Sequence, residues 1–258
     1  MLKLRILTVA VLLPAFAGGA FYLPSAAWAL AMFGAVLLAA SEWGRLVSFG
    51  SAASWIFKAA LATGCGLLWW QTQADSVVYF VSIAFWVAAV PLALWQKPRL
   101  HGGFVAGLAG LIVLLPMWLA AVRLQATPGL LLALLAIVWI SDSAAYAAGH
   151  AWGKHKLAPS ISPGKSWEGV GGAIAAVAVY AGVFQLAWFP EIGLFFVMTA
   201  FFAITVLGIL GDLFESLLKR SAGVKDSGTM LPGHGGVLDR IDAITAALPL
   251  AALVFART

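Results

Sequence analysis

Long apolar runs dominate this sequence and decide which folds are open to it. A helix needs about 20 mostly apolar residues to cross the hydrocarbon core of a bilayer. The residues are 63% hydrophobic and 10% charged, with a mean hydropathy of +1.00, whereas soluble domains are about half apolar and about a quarter charged. We therefore predict an all-α polytopic membrane protein of about nine transmembrane helices. The predicted spans are residues 6–23, 26–41, 55–70, 77–95, 103–121, 128–147, 170–189, 192–213 and 243–256.

Lysine and arginine are divided unevenly between the two ends of these spans. With the N-terminus inside, thirteen of the 15 fall on the inner side, and only Arg123 and Arg257 fall outside. Because inner loops are enriched in these residues, we predict a cytoplasmic N-terminus and a C-terminus outside. The first run follows Lys3 and Arg5 and could be taken for a signal peptide, but further spans follow it, and an uncleaved first helix serves the same targeting purpose.

Cysteine content and charge exclude several classes of protein. The single cysteine, Cys65, lies in an apolar run, so an intrachain disulfide framework and a zinc site of paired cysteines are both excluded. The sequence pI is about 9.6, yet no basic run is long enough for nucleic-acid binding. We therefore expect no nucleic-acid partner and attribute the basic residues to topology and phosphate chemistry.

Acidic residues are concentrated in the second half of the chain. The first 140 residues contain two, Glu42 and Asp75, and the rest of the chain contains the other eight. We therefore predict that residues 1–125 form a scaffold of transmembrane helices and that residues 126–258 form a catalytic transmembrane region with its motifs on the cytoplasmic side. Two interpretations of Glu42 stay open, a pairing role with Arg45 and a catalytic role.

One of the later acids, Asp142, falls at the inner end of the sixth predicted span. An unpaired charge in the bilayer costs on the order of 3 kcal/mol or more. Asp142 must therefore be paired, solvated in a cavity or bound to a metal ion. The alternative is a carboxylate at a helix end that reaches interfacial water.

A second polar segment, residues 160–169, precedes the glycine-rich start of the seventh span. Its Gly164-Lys165-Ser166 invites comparison with a phosphate-binding P-loop. That motif needs a strand before it and a glycine where this chain has Pro159, so we reject it. We predict instead a flexible turn whose lysine lies beside a helix start, where backbone N–H groups favour a phosphate. An ordinary basic inner loop is the alternative.

The longest polar stretch runs from Gly211 to Asp242. Steps of three and four residues would place a carboxylate, a hydroxyl and two cations on one helix face, namely Asp212, Ser216, Lys219 and Arg220. Asp239 and Asp242 repeat this spacing at the start of the ninth span. Carboxylates from two separate elements are the hard oxygen ligands expected for Mg²⁺ held between a protein and substrate phosphates. Glycines on both sides of His234 permit close approach of the backbone to a ligand.

This stretch resembles the signature of the phosphatidate cytidylyltransferases, also called CDP-diacylglycerol synthases. The residues that carry the resemblance are Ser216-Leu217-Leu218-Lys219-Arg220, Lys225-Asp226-Ser227-Gly228 and Leu231-Pro232-Gly233-His234-Gly235-Gly236-Val237-Leu238-Asp239-Arg240-Ile241-Asp242. Two upstream groups also resemble that family, Ser141-Asp142 with Ala145-Tyr146 and Gly149, and Ser162-Pro163 with Lys165-Ser166 and Glu168-Gly169. The specific motifs cover residues 140–242, and the first half is similar only in length and hydropathy.

The resemblance implies transfer of a cytidylyl group from CTP to phosphatidate in phospholipid biosynthesis, at a bacterial-type inner membrane. It implies Mg²⁺ at Asp212 and Asp239, with Asp142 and Asp242 as further ligands or supporting groups and with room for a second cation. The expected catalytic residues are Asp212, Ser216, Lys219, Arg220, Asp239 and Arg240. The expected substrate-binding residues are Tyr146, Ser162, Lys165, Ser166, Lys225, Asp226, His234, Gly235 and Gly236.

Two other functions stay open at this point. A CTP-dependent lipid kinase of the polyprenol type would need the same lipid, nucleotide and metal but would transfer the terminal phosphate. An ion-coupled transporter would hold its carboxylates near the bilayer midplane, whereas these cluster at the inner ends of the spans. Glycine-rich span faces permit a homodimer. The sequence does not show how cytosine would be recognised.

Overall fold

Long α-helices make up most of the computed structural model, which describes residues 2–230 and 235–256. The helices are α1 (Leu2–Tyr22), α2 (Ser25–Leu46), α3 (Ser51–Trp70), α4 (Asp75–Ala84), α5 (Val90–Gln96), α6 (Phe104–Leu124), α7 (Pro128–Trp152), α8 (Trp167–Trp188), α9 (Leu194–Ser221) and α10 (Leu238–Phe255). A 3₁₀ turn at Thr72–Ala74 leads into α4, and a π-helical turn at Phe85–Ala89 joins α4 to α5, so that Thr72–Gln96 forms one rod.

Within the described residues, seven helical rods have the length and the apolar composition needed to cross a membrane. They are α2, α3, the rod Thr72–Gln96, α6, α7, α8 and α9, and the apolar part of α1, Ala10–Tyr22, is shorter. Helix α10 carries three charged residues within its first five positions. The all-α polytopic fold is therefore confirmed, whereas the count of nine spans and the sides of the two termini stay predictions.

Helix α2 continues beyond the predicted end of the second span at residue 41. The predicted boundary followed the polar pair Ser41 and Glu42, but both residues lie inside the helix, which ends at Leu46. Glu42 is fully buried and accepts hydrogen bonds from another part of the chain. Hydrogen bonds from a distant part of the chain thus allow the helix to continue through these two polar residues.

Tryptophan side chains join α2 to α6 through their indole N–H groups. Trp28 donates to the carbonyl of Ala121 at 3.0 Å, and Trp43 donates to that of Ala106 at 3.1 Å. Trp118 donates in the opposite direction, from α6 to a carbonyl of α2, also at 3.1 Å. A buried indole needs such an acceptor. These bonds fix α2 antiparallel to α6 within the N-terminal half.

Helices α7 and α8 pack closely because glycines face alanines between them. A Cβ atom on Gly169 would lie 2.8 Å from the carbonyl oxygen of Ala145, and one on Gly172 would collide with the Cβ of Ala148. Small residues of this kind let two helix backbones approach each other in a membrane. The close approach fixes the C-terminal part of α7 relative to the N-terminal part of α8.

The segment between α7 and α8 forms a β-hairpin, so the predicted flexible turn is wrong. Strand β1 (Lys156–Ala158) pairs antiparallel with β2 (Ser162–Ser166). The hairpin is closed at its base by a hydrogen bond from the Trp167 amide to the His155 carbonyl at 2.9 Å, and Ile161 at its turn is buried. Backbone pairing between the strands and the burial of Ile161 therefore make this segment an ordered element.

Candidate active site

Two lysine–carboxylate pairs lie at a junction formed by the hairpin, the C-terminal parts of α7 and α9, and the first turn of α10. Lys165 on β2 places its Nζ 2.5 Å from Oδ2 of Asp212 on α9. One turn further along α9, the hydroxyl of Ser216 donates to Oδ1 of Asp212 at 3.3 Å. The predicted helix face of Asp212 and Ser216 is therefore present, and it contacts the predicted phosphate-binding lysine.

The second pair joins α9 to α10. Lys219 Nζ lies 2.7 Å from Oδ1 of Asp239. The other carboxylate oxygen, Oδ2, accepts from the Ser227 amide at 2.9 Å and the Gly236 amide at 2.8 Å, and it lies 3.0 Å from the Ser227 hydroxyl, whose single proton it shares with Glu42. A carboxylate has about four lone-pair sites, two on each oxygen. Both sites of Oδ2 are therefore occupied, whereas Oδ1, which accepts only from Lys219, can still bind one further partner.

Asp142 and Asp242 also belong to this cluster. The Asp142 carboxyl on α7 lies within electrostatic range of both Asp212 and Lys165. The Asp242 carboxyl, one turn after Asp239, lies within electrostatic range of Asp212. All four predicted metal-binding aspartates are therefore brought together, although they come from three different helices.

Sequence reasoning missed a fifth carboxylate, that of Glu215. This residue is 3% exposed, and its Oε2 lies 3.4 Å from Lys219 Nζ. Its carboxyl group also interacts with that of Asp242, so the two acids lie side by side. Its spacing of four residues from Lys219 indicates an ion pair on α9. Glu215 was not predicted because it does not lie on the helix face of Asp212 and Ser216.

The donor set at this junction fits a divalent cation. Five carboxylates face the ammonium groups of two lysines, Lys165 and Lys219, which leaves a formal charge of minus three. Such a surplus is costly at membrane depth unless cations or protons balance it, and carboxylate oxygens are the ligands that Mg²⁺ prefers. Among the described residues, no three His, Cys, Asp or Glu side chains are already arranged around a metal position, because the lysines pair with Asp212 and Asp239.

The two predicted serines of the hairpin have different surroundings. Ser166 is buried and caps helix α8, since its hydroxyl accepts a hydrogen bond from the Gly169 amide at 3.2 Å. Ser162 begins β2 opposite Ala158 and is half-buried. The hydroxyl of Ser166 thus supports the helix that follows Lys165.

The predicted basic residues beyond Lys219 lie near the rim of the junction. The Arg220 guanidinium donates to the carbonyl of Ile161 at 3.4 Å and to that of Val224 at 3.3 Å, which ties the hairpin to the end of α9. Lys225 and Arg240 are exposed, the former after α9 and the latter in the first turn of α10.

The other predicted substrate-binding residues are more dispersed. Tyr146 is exposed on α7 and stacks on His150, with ring centroids 5.9 Å apart. Asp226 is exposed, and Gly235 adopts a left-handed conformation with φ of 86°. His234 lies outside the described residues. The structure does not bring Tyr146 into contact with the lysine–carboxylate pairs.

The chain resembles known proteins along its whole length. Residues 3–257 match the family model described as "Cytidylyltransferase family". The protein named phosphatidate cytidylyltransferase of Pseudomonas aeruginosa is 41% identical over 268 residues, which cover 99% of this chain and 98% of that protein. The protein of the same name from Haemophilus influenzae is 32% identical over 284 residues, or 96% of each chain. The one from Bacillus subtilis is 46% identical over 113 residues, 44% of this chain and 42% of that relative.

Proposed function

Because this chain belongs to the cytidylyltransferase family, we propose that it is a phosphatidate cytidylyltransferase, which makes CDP-diacylglycerol and pyrophosphate from CTP and phosphatidate. The observation that carries the proposal is the junction of two lysine–carboxylate pairs at the inner ends of apolar helices. A membrane lipid and a water-soluble nucleotide can both reach such a place. The identity with relatives of this name over nearly the whole chain supports the same substrates.

The reaction needs no nucleophile from the protein. A phosphate oxygen of phosphatidate attacks the α-phosphorus of CTP, a new P–O bond forms, and the bond between the α-phosphorus and the bridging oxygen breaks. The electron pair leaves with pyrophosphate. The barrier is largely electrostatic, because two anionic phosphates must meet and charge builds on the leaving group. Groups that hold phosphates and neutralise charge are what this chain must supply.

Lys165 and Lys219 are positioned to supply that positive charge. Each now pairs with a carboxylate, at 2.5 Å and 2.7 Å respectively. An entering triphosphate offers the same ammonium groups stronger and more numerous acceptors. In our proposal Lys165 turns to the phosphate tail of CTP, Lys219 and Ser216 contact phosphate oxygens, and Arg220, Lys225 and Arg240 bind phosphates from the rim.

The carboxylates would hold magnesium. Asp212 and Asp239, from α9 and α10, are the proposed ligands, with Asp142 and Asp242 beside them. Bound Mg²⁺, with or without a second cation, would neutralise developing charge on the phosphate oxygens. The protein contributes the placement of these carboxylates. In Asp239, Oδ1 is the oxygen that could bind the cation, because Oδ2 already accepts backbone hydrogen bonds.

The cellular setting follows from the same features. The chain is a multi-pass membrane protein, and we propose that it lies in a bacterial inner membrane with the junction facing the cytosol, where CTP is found. Residues 1–125 would then be mainly scaffold and residues 126–258 catalytic. A homodimer is compatible with the open glycines Gly171 and Gly182 on α8.

Radiolabelled CTP tests the proposal directly. Purified protein is incubated with phosphatidate in detergent micelles, Mg²⁺ and CTP labelled at the α-phosphate. We expect a labelled lipid that migrates as CDP-diacylglycerol, together with unlabelled pyrophosphate. Label transferred to lipid only from the γ-position would identify a kinase instead, and no transfer from either position would contradict both enzymatic functions.

A further inference from the structure

Glu42 is a fully buried carboxylate in the N-terminal half, far along the chain from the residues discussed so far. It is 0% exposed. Its oxygens accept hydrogen bonds from the Val237 amide at 3.0 Å and the Leu238 amide at 2.7 Å, and Oε2 lies 3.0 Å from the Ser227 hydroxyl, whose single proton it shares with Asp239. A buried charge is tolerated only when it is paired and hydrogen-bonded, and these three donors fulfil that condition.

The donors to Glu42 come from both ends of one segment. Ser227 lies in the connection after α9, Val237 is the N-cap of α10, and Leu238 is its first residue. The first N–H groups of a helix have no partner within the helix and carry its positive dipole end. Val237 offers no capping side chain, so Glu42 caps α10 from α2 and holds Ser227 beside the start of that helix, at the two described ends of the connecting loop.

Two glycines of the loop make room for this carboxylate. A Cβ atom on Gly228 would collide with Oε1 of Glu42, and one on Gly236 would collide with Oε2 of Glu42 and with the Ser227 hydroxyl. Neither position has a positive φ. Space for the Glu42 carboxylate, rather than backbone conformation, therefore accounts for these glycines.

The same contacts lead to the proposed metal ligand Asp239. The Ser227 hydroxyl lies 3.0 Å from Oε2 of Glu42 and 3.0 Å from Oδ2 of Asp239. Leu238, which donates its amide to Glu42, directly precedes Asp239. Oδ2 accepts hydrogen bonds from the amides of Ser227 and Gly236. The rotation of the Asp239 carboxylate therefore depends on the positions of these two residues, which Glu42 contacts or adjoins.

Pairing with Arg45 does not account for the burial of Glu42. The Arg45 side chain is 61% exposed, and its Nη2 lies 3.9 Å from Oε1 of Glu42. An ion pair at this distance whose cation is largely in solvent contributes little. Of the two interpretations left open by the sequence, the Arg45 contact exists but is secondary.

We propose that Glu42 is a positioning residue of the active site. It holds both ends of the loop 227–238 and thereby turns Oδ1 of Asp239 toward the junction. This inference rests on the proposed cytidylyl transfer and gives the N-terminal half a direct part in it. Glu42 itself touches neither substrate.

Glu42→Gln tests the inference, because it keeps the size of the side chain but places an amide against N–H donors. We expect kcat for labelled CDP-diacylglycerol to fall about tenfold or more while the KM for phosphatidate changes less than about threefold. Amide hydrogen exchange at Val237 and Leu238 should become faster, and exchange in α6 should not change. Glu42→Asp, which keeps the charge, should restore part of kcat.

Asp75→Asn is the matched control, because it also removes a charge from a partly buried pair, the bidentate contact with Arg123 at 2.7 and 3.3 Å. We expect normal kcat and normal exchange in the loop. If Glu42→Gln fails to insert, Gly228→Ala crowds the same carboxylate without removing it and should lower kcat similarly.

Equal losses of kcat in Glu42→Gln and Asp75→Asn, or unchanged exchange at Val237 and Leu238, would overturn the positioning role. Wild-type protein that makes no labelled lipid would instead overturn the proposed function. The exchange measurement would still decide whether Glu42 holds the loop.

Discussion

At the scale of single residues, Asp212 and Asp239 carry the strongest expectation. Asp212→Asn and Asp239→Asn should each lower turnover by at least about 100-fold, because each removes a charged ligand that the proposed mechanism needs. Both proteins should still insert and elute from size-exclusion chromatography as wild type does. Activity within about twofold of wild type in either variant would remove that residue from the metal site.

Lys165 tests the nucleotide side of the site. If it binds the triphosphate, Lys165→Ala should lose a charge-assisted contact of roughly 1.5 to 3 kcal/mol, or about 10- to 150-fold in kcat/KM for CTP. Steady-state kinetics at varied CTP measures the loss. Lys154→Ala is the control, since Lys154 is exposed beside the hairpin, and an equal loss there would show that Lys165 has no special contact with CTP.

At the scale of elements, the packing of α7 on α8 should depend on one glycine and not on its neighbour. Gly172→Val places a side chain against Ala148 and the Ala144 carbonyl, whereas a Cβ on Gly171 meets no atom within 4 Å. Overpacking typically costs about 1 to 3 kcal/mol, so thermal unfolding in detergent should shift downward for Gly172→Val and hardly at all for Gly171→Val. Equal shifts would mean that the close helix contact is absent.

At the scale of the whole molecule, the predicted topology places the two ends of α6 on opposite sides of the membrane. Lys97→Cys lies in the connection before α6 and Ala126→Cys in the one after it, and both positions are exposed. An impermeant maleimide applied to intact cells should label Ala126→Cys, and Lys97→Cys only after permeabilisation. The buried Cys65 keeps the background low, and the reverse pattern would contradict the predicted orientation.

The sequence by itself determined the class of fold and most of the candidate site. Apolar runs of membrane-spanning length require helices, because backbone polar groups in lipid must be satisfied within the chain. The spacing of Asp212, Ser216, Lys219 and Arg220 predicted a common helix face, and the structure places all four on α9, with Ser216 hydrogen-bonded to Asp212. Local periodicity is sufficient for such inferences, since the residues concerned belong to one helix.

Only the tertiary structure decided which of these elements meet. Lys165 reaches Asp212 through a β-hairpin, and Glu215 belongs to the cluster because α9 packs against α10. Glu42 reaches Leu238 across 196 positions of the chain. Helical periodicity says nothing about partners that distant, because their contact depends on how separate helices pack and on which buried donors still lack an acceptor.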